Sequence, residues 1–127
     1  MAPLDAIQLG PSVGSYSPAI KYNGLVFSSG CIGIDLKTMK LIDGTTKDRT
    51  IQALKIISAV LQQAGTNLQN VIKVNVYLTS LENYELFNEG FDEVITWDIK
   101  PTRTTVVVQA LPFGADVEIE VVAAQTS

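Results

Sequence analysis

The sequence contains no histidine and only one cysteine, Cys31, in 127 residues. Histidine is the side chain that most often serves as a general acid or base near neutral pH, and it is the commonest metal ligand. A single cysteine excludes an internal disulfide and is consistent with a reducing compartment. A zinc site built from one thiolate and carboxylates alone would be an unusual ligand set. Composition therefore excludes histidine-based catalysis and histidine metal sites.

The chain also has little positive charge and no long hydrophobic run. Nine Lys and Arg against thirteen Asp and Glu give a net charge of −4, and the basic residues are scattered from Lys21 to Arg103. Nucleic-acid binding usually requires a clustered basic surface, and no apolar run approaches the ~18 residues of a membrane-spanning helix. No secretory signal or intact mitochondrial presequence is visible. We therefore expect one globular domain over 1–127, in the cytoplasm, or in mitochondria if a presequence has been removed.

A β-hairpin is predicted around Asn23-Gly24. This dipeptide favours a type I′ turn, because both central positions of that turn need positive φ. The flanking strands are predicted at about 16–22 and 25–30. Further extended segments are predicted near Ile7 and at 40–42, the latter within a loop from 33 to 45.

Apolar residues at helical spacing predict two amphipathic helices. The first runs from about 46 to 64, and Gly65 is placed to cap its C-terminus. The second runs from about 83 to 95. Its inward-facing residues are expected to be Tyr84, Phe87, Phe91, Val94 and Ile95.

Strict alternation from 71 to 79 predicts a strand with one face on the core. The core-facing residues are expected to be Ile72, Val74, Val76 and Leu78. With two more strands near the C-terminus, the order of elements is ββ-α-β-α-ββ. This order predicts an α+β fold in which two helices cover one face of a sheet.

Charged residues occur within the two most apolar strands, near the end of the chain. Arg103 follows Pro101 at the start of a β-branched run, where a guanidinium is costly to bury without an anion. Glu118 and Glu120 share one face of the last strand, because strand side chains alternate. From the residues alone, either a buried ion pair at a subunit contact or a carboxylate-binding site would explain Arg103, and the ion pair is the commoner case.

Two helices can cover only one face of the sheet, which leaves the other face without a partner. Val107 and Val122, with either Val106 or Val108, are expected to lie on that uncovered face. We expect it to pack against other copies of the chain, since a large exposed apolar surface usually marks an interface.

Several fragments, in their order and spacing, resemble those of the Rid family of reactive intermediate deaminases, also called the YjgF family. They are Gly14-Ser15-Tyr16-Ser17, Phe27-Ser28-Ser29-Gly30, the strand 71–78, Phe87-Asn88, Pro101-Thr102-Arg103, and Leu111-Pro112 leading into 117–120. The resemblance implies a chorismate-mutase-like α+β fold, with a mixed sheet and two helices on one face, assembled as a homotrimer with clefts between subunits. It also implies hydrolysis of 2-enamino and 2-imino acids, such as 2-aminoacrylate and 2-iminobutyrate, to 2-keto acids and ammonia without a cofactor. In the family these reactive acids are released by pyridoxal-phosphate enzymes such as threonine dehydratase.

The same resemblance assigns roles to individual residues. Arg103 matches the arginine that holds the substrate carboxylate, and Glu118 matches the glutamate placed near the attacking water. The other implied cleft residues are Tyr16, Ser29, Gly30, Asn88 and Thr105. The chain departs from the family pattern at three positions, where Cys31 replaces a frequent glutamine, Gly33 a frequent proline and Thr105 a frequent cysteine.

Several alternatives stay open. Glu120 points the same way as Glu118, so the choice between them depends on the resemblance, and Ser29 has no neighbour that could activate it as a nucleophile. In the family's strand order Arg103 and Glu118 lie about 10 Å apart, so we expect each site to take them from different chains.

Two alternative functions stay open. One is a non-catalytic binding module for small 2-keto acids. The other is a regulatory or RNA-directed protein of the translation-inhibiting endoribonuclease type, which the negative net charge disfavours.

Overall fold

The computed structural model describes residues 4–7 and 15–126. Its two α-helices are α1 (Thr46–Gln63) and α2 (Tyr84–Val94). Its strands are β1 (Asp5–Ile7), β2 (Ala19–Tyr22), β3 (Leu25–Ser28), β4 (Cys31–Ile32), β5 (Ile34–Asp35), β6 (Lys40–Leu41), β7 (Val71–Leu78), β8 (Thr102–Val107) and β9 (Val117–Ala124).

The main sheet is mixed, and both helices pack on one of its faces. Its strand order is β1-β2-β3-β9-β7-β8, with β4 paired to the first half of β9, while β5 and β6 form a separate hairpin. Strands β7 and β8 are parallel, and the other pairs are antiparallel. The predicted α+β fold is confirmed. No helix in the described part of the chain is long and apolar enough to cross a membrane.

The hairpin and the first helix form where the sequence predicts them. Asn23 and Gly24 have φ values of 55° and 83°, as a type I′ turn requires. At the end of α1, Gly65 has φ 83°, and the amides of Gly65 and Thr66 bond back to the last turn of the helix at 3.1 and 2.9 Å. This is the pattern of a Schellman cap, which needs a residue that tolerates the left-handed conformation.

The core lies between the helices and the sheet, and two residues expected in it are exposed. Ile72 is 47% exposed, because the pairing of β7 with β9 shifts between Val71 and Lys73. The shift is a β-bulge, and it places Val71 rather than Ile72 in the core. Tyr84 is 41% exposed, since it occupies the first turn of α2 at the sheet edge.

Strand boundaries differ from the predictions in two places. The first strand of the hairpin begins at Ala19 rather than near residue 16. The predicted loop at 33–45 contains the β5–β6 hairpin, of which only the strand near residue 40 was expected. Gly14, which contributes to the family resemblance, lies outside the described residues.

The face of the sheet opposite the helices, here called the open face, carries exposed apolar residues. Val106 is paired with Tyr77, and Phe27 with Val122; Val106 and Phe27 are 43% and 42% exposed. Val107 was expected on this face, and that expectation is wrong. It is paired with the fully buried Leu78 and therefore lies on the helix side, at the edge of the sheet.

A bidentate ion pair joins α1 to the start of β9. Arg49 Nε and Nη2 each donate to the Asp116 carboxylate at 2.9 Å, and Arg49 Nη1 donates to the carbonyl of Gly44 at 3.0 Å. Burial alone would raise the pKa of Asp116, but hydrogen bonds from Arg49 and Thr46 and the guanidinium charge outweigh burial and lower it. The pair thus fixes β9, the strand that carries Glu118, against the helix layer.

This ion pair predicts a pH-dependent contribution to stability. A lowered folded-state pKa means that Asp116 stabilises the fold above its unfolded pKa and loses that effect as pH falls through the folded value. At pH 7 we expect Asp116→Asn to reduce the free energy of unfolding by about 1.5–3 kcal/mol, the range for hydrogen bonds to a charged group. The deficit should shrink as pH falls below about 4, where the unfolded-state carboxyl takes up a proton, and it should disappear only below the lowered folded-state pKa. Urea unfolding at pH 7 and pH 3, at one protein concentration, measures it.

The matched control is Glu93→Gln. Its partner Lys47 lies 4.0 Å away, and the Lys47 and Glu93 side chains are 37% and 58% exposed, so we expect a change below about 0.5 kcal/mol. Equal losses in the two variants at pH 7 would contradict a structural role for the Arg49–Asp116 pair.

Candidate functional site

The predicted site residues are divided between the two faces of the sheet. Arg103 is paired with Val74, which is fully buried beneath the helices, so Arg103 lies on the helix side. Glu118 is paired with Tyr77 and lies on the open face. Strand β7 lies between the two strands that carry them. One chain therefore holds Arg103 and Glu118 two strands apart and on opposite faces.

Two aromatic rings support the Arg103 side chain at the edge of the sheet. Its guanidinium carbon lies 5.1 Å from the ring centroid of Phe87 and 5.0 Å from that of Phe91. Cation–π attraction of this kind is worth about 0.5–2 kcal/mol. Its Nη2 also donates to the Tyr84 hydroxyl at 3.3 Å. The rings fix the plane of the guanidinium and leave most of its donors unused by residues in the described part of the chain.

Among the described residues, Arg103 has no carboxylate partner. The ion pairs among the described residues are Lys21–Asp5, Lys47–Glu93 and Arg49–Asp116. An ion pair between Arg103 and Glu118 of the same chain is excluded by their opposite faces. The guanidinium is therefore available for an anion from outside the chain.

Two more of the predicted residues lie at this edge. Thr105 follows Arg103 by two positions and shares its face, and its hydroxyl is buried with no hydrogen-bond partner among the described residues. Asn88 is half-buried on α2, one helical turn after Tyr84 and on the same side of the helix. We call Arg103, Thr105, Asn88 and Tyr84 the arginine edge.

The remaining predicted residues surround a cavity on the other side of the chain. A cavity of about 140 Å³ is lined by Tyr16, Ser29, Gly30 and Glu118, together with apolar residues of β4–β6 and α1. It forms beside the break between β3 and β4, which pair with opposite halves of β9. We call it the glutamate cavity.

Gly30 gives the Glu118 carboxylate its space. A Cβ atom at position 30 would lie 2.6 Å from Glu118 Cδ and 2.7 Å from its Oε1, well inside van der Waals contact. Any side chain there would have to displace the carboxylate. The neighbouring Ser29 hydroxyl donates to the carbonyl of Ser17 at 2.6 Å, so it serves to hold the loop.

The structure distinguishes the two glutamates that the sequence left open. Glu120 Oε1 accepts hydrogen bonds from Tyr77 Oη at 2.8 Å and Asn75 Nδ2 at 3.1 Å. Glu118 accepts none from the described residues and faces the cavity. Burial, and then the charge of Glu120, raise the pKa of Glu118. Glu118 is thus the carboxylate with free acceptors, and Glu120 is a fixed negative charge beside it.

The two unusual residues near the cavity also have structural explanations. Burial, reinforced by the charge of Glu118, raises the pKa of the Cys31 thiol to about 12, so this thiol is neutral at physiological pH. Gly33 allows close approach of α1, since a Cβ atom there would lie 2.6 Å from Arg49 Cα.

Sequence reasoning missed several contributors to these two regions. The aromatic support from Phe87 and Phe91 was assigned only to the core, and the cavity wall contributed by Pro112 and Phe113 was not anticipated. For the aromatic support, the only available signal was the Phe-x-x-x-Phe spacing on α2 beside a strand that carries one arginine. For the cavity wall, Leu111-Pro112 belongs to the fragments that resemble the family, but the resemblance gave Pro112 and Phe113 no role.

Comparisons with known proteins agree on one family. A family profile described as Endoribonuclease L-PSP matches residues 7–125. A RutC family protein of Aquifex aeolicus is 42% identical over 112 residues, which cover 87% of this chain and 89% of the relative. The chloroplastic Reactive Intermediate Deaminase A of Arabidopsis thaliana is 36% identical over 112 residues, or 88% of this chain and 59% of the relative. The crystal structure of YyfA, a Rid family protein of Yersinia pestis, superposes with a TM-score of 0.90 at 38% identity, covering 96% of this chain and 99% of that one.

The charge of Glu120 is one cause of the raised pKa of Glu118, and its removal should be measurable. In Glu120→Gln the side-chain oxygen can still accept from Tyr77 and Asn75, while the negative charge is lost. A like charge disfavours ionisation, so its removal should lower the pKa of Glu118. Carbon NMR titration of the glutamate carboxyls measures this shift. The exposed Glu89 on α2 offers a control: Glu89→Gln should leave Glu118 unaffected, and an unshifted Glu118 in Glu120→Gln would show that the charge of Glu120 is not a cause.

Proposed function

Because this chain belongs to the Endoribonuclease L-PSP family, the family of Rid and RutC proteins, we propose that it hydrolyses reactive 2-imino and 2-enamino acids to 2-keto acids and ammonia. One relative carries the name of a reactive intermediate deaminase. The observation that carries the proposal is the Arg103 guanidinium, positioned on two aromatic rings with no carboxylate among residues 4–7 and 15–126 to neutralise it.

In this proposal Arg103 binds the carboxylate of the substrate. A guanidinium presents parallel N–H donors that match a carboxylate in a bidentate geometry. The rings of Phe87 and Phe91 restrict its plane and lower the entropy cost of forming that pair. Thr105 and Asn88 line the same edge and contact the bound acid.

Glu118 directs the water molecule that attacks the imine. The water oxygen bonds to C2, the C–N bond breaks, and both hydrogens of the water leave with the nitrogen as ammonia. A raised pKa makes the Glu118 carboxylate a stronger base at a given pH, and general-base assistance is typically worth ~10²–10⁴-fold. No cofactor is required for this step, and Tyr16, Ser29 and Gly30 complete the wall of the site.

The proposed site is built between two copies of the chain. A small acid cannot contact Arg103 and Glu118 of one chain, since they lie on opposite faces of its sheet. Packing of the open faces in a homotrimer would cover Val106 and Phe27 and bring the arginine edge of one copy to the glutamate cavity of the next. The proposed location is the cytoplasm; one relative, mmf1 of Schizosaccharomyces pombe, is named as mitochondrial.

The name of the matched family raises RNA cleavage as a second candidate. A net charge of −4 and the absence of histidine weaken it, because RNA binding uses clustered basic residues and counterion release. A non-catalytic module that binds small 2-keto acids in the same cleft is the other alternative. It would show affinity for 2-oxobutanoate without any effect on the rate of imine hydrolysis.

The role of Arg103 is tested by truncating it. We expect Arg103→Ala to lower kcat/KM for hydrolysis of 2-iminobutanoate and 2-iminopropanoate by about 100-fold or more, because two charge-assisted hydrogen bonds are lost. Arg103→Lys should recover only part of this loss, since an ammonium lacks the planar fork. Lys55→Ala, on the exposed side of α1, is the control for loss of a positive charge. Unchanged acceleration in Arg103→Ala would refute the proposal.

The division of the site between copies is tested by mixing inactive variants. Arg103→Ala and Glu118→Ala homo-oligomers should each be inactive, and subunit exchange between them should restore about a quarter of the wild-type sites, as random pairing of complementary copies dictates. Native mass spectrometry verifies the exchange, and light scattering should give a mass near three times the 13.7 kDa of one chain. If exchange is verified and no activity is recovered, Arg103 and Glu118 either act within one chain or are not part of the site.

A further inference from the structure

We propose that Tyr84 is a positioning residue for Arg103, and that its hydroxyl decides which edge of the guanidinium receives the substrate carboxylate. This inference rests on the proposed function and adds a residue that acts at the same site. Tyr84 is the first residue of α2, and its hydroxyl oxygen accepts from Arg103 Nη2 at 3.3 Å. Among the described residues, no other group forms a hydrogen bond or an ion pair with the Arg103 side chain.

The aromatic rings hold Arg103 from one side only. The centroids of Phe87 and Phe91 are 5.6 Å apart, and they lie 5.1 and 5.0 Å from the guanidinium carbon. Rings on opposite sides of that carbon would have centroids nearly twice as far apart. Cation–π attraction acts between the charge and the face of a ring, so it does not determine where the individual N–H groups point. The rings fix the plane of the guanidinium, and its orientation within that plane requires a hydrogen bond.

The bond to Tyr84 supplies that orientation. A guanidinium can bind a carboxylate through two pairs of parallel donors, Nε with Nη2 and Nη1 with Nη2. Nη2 carries two hydrogens, and each pair needs one of them. A hydrogen donated to Tyr84 is unavailable to one pair, while the other pair stays complete. Arg103 is thus left with one two-donor edge for a carboxylate, and that edge is set before the substrate binds.

The sequence of α2 places this hydroxyl beside the guanidinium. Tyr84, Phe87 and Phe91 are three and four residues apart, so they share the side of α2 that meets Arg103. Phe87 is fully buried and holds this turn of the helix on the core, whereas Tyr84 is exposed at the edge of the sheet, where a ligand can approach. A phenol oxygen at this position accepts from the arginine, and the ring of a phenylalanine has no such acceptor.

A single open edge gives a bound 2-imino acid a single orientation. The carboxylate carbon is bonded directly to C2, so the direction of the two-donor edge fixes where C2 lies. Attack by a water molecule held on Glu118 of the neighbouring copy requires C2 to face that copy. A guanidinium that is already oriented also avoids part of the entropy cost of ordering a side chain on binding, which corresponds to about threefold to tenfold in affinity.

The orientation of Arg103 is measured by nitrogen NMR of the arginine side chains in the wild-type assembled protein. The chain contains two arginines, Arg49 and Arg103, and the bidentate pair with Asp116 makes Arg49 an internal reference. Tyr84→Phe keeps the ring and loses the hydroxyl. We expect this variant to speed rotation about the Nε–Cζ bond of Arg103 by about threefold or more, because one hydrogen bond no longer has to break, and to leave Arg49 unchanged.

Calorimetric titration with 2-oxobutanoate measures the consequence for binding. Tyr84→Phe should raise the dissociation constant by about threefold to tenfold when Arg103 is present. In the Arg103→Lys background the same change should cost less than about twofold, because an ammonium has no edge to select. The control is Tyr22→Phe, the same change on β2 near the opposite edge of the sheet, which should alter neither the rotation nor the affinity.

The outcomes separate this inference from the deaminase proposal. An unchanged dissociation constant in Tyr84→Phe would overturn the inference, as would unchanged rotation of Arg103 or an equal loss of affinity in the Arg103→Lys background, and the deaminase proposal would stand. Failure of the wild-type protein to bind 2-oxobutanoate would overturn it as well. The expected effects in a protein that does not accelerate imine hydrolysis would reject the deaminase proposal and retain the role of Tyr84.

Discussion

The register of β8 against β7 decides what one copy of this chain can do by itself. Because Arg103 is paired with a core-facing valine and Glu118 with Tyr77 on the open face, the sheet separates its own cation from its own free carboxylate. Their charges cannot neutralise each other within the chain. Each is left with unused hydrogen-bonding capacity, which is costly in a partly buried environment unless a ligand or a second copy satisfies it.

The rest of the structure maintains the arginine edge on one side and the glutamate cavity on the other. On one side, the packing of α2 against β8 supplies the rings of Phe87 and Phe91 on which the guanidinium lies. On the other, Gly30 leaves space for Glu118, and Tyr77 and Asn75 hold Glu120 as a fixed charge. Both sides are connected through β7, the strand between β8 and β9. The open face beside Glu118 is apolar at its edges, which favours association of copies over a solvated surface.

Much of the architecture could be predicted from local signals, and the family's strand order led us to expect Arg103 and Glu118 from different chains. Their placement on opposite faces of the sheet could not be predicted. Asn23-Gly24 and the capping position of Gly65 are fixed by backbone conformation alone, so sequence predicts them well. Ile72 was misplaced because a bulge, which local alternation does not reveal, shifts the register. The face of Arg103 was beyond prediction for a related reason: the run from Val106 to Val108 is continuously apolar, so it has no alternation from which to read a face. The cavity depends on side chains from four segments distant in sequence, and its volume is a property of their packing.

The most direct test of the account is a crystal structure of the assembled protein with 2-oxobutanoate, the product of the proposed reaction. The account predicts the carboxylate of the ligand on the Arg103 guanidinium of one copy, with donor–acceptor distances of about 2.7–2.9 Å. It also predicts that the ligand's carbonyl carbon faces Glu118 of a neighbouring copy. An Arg103 paired instead with a protein carboxylate of the neighbouring copy at saturating ligand would contradict the account.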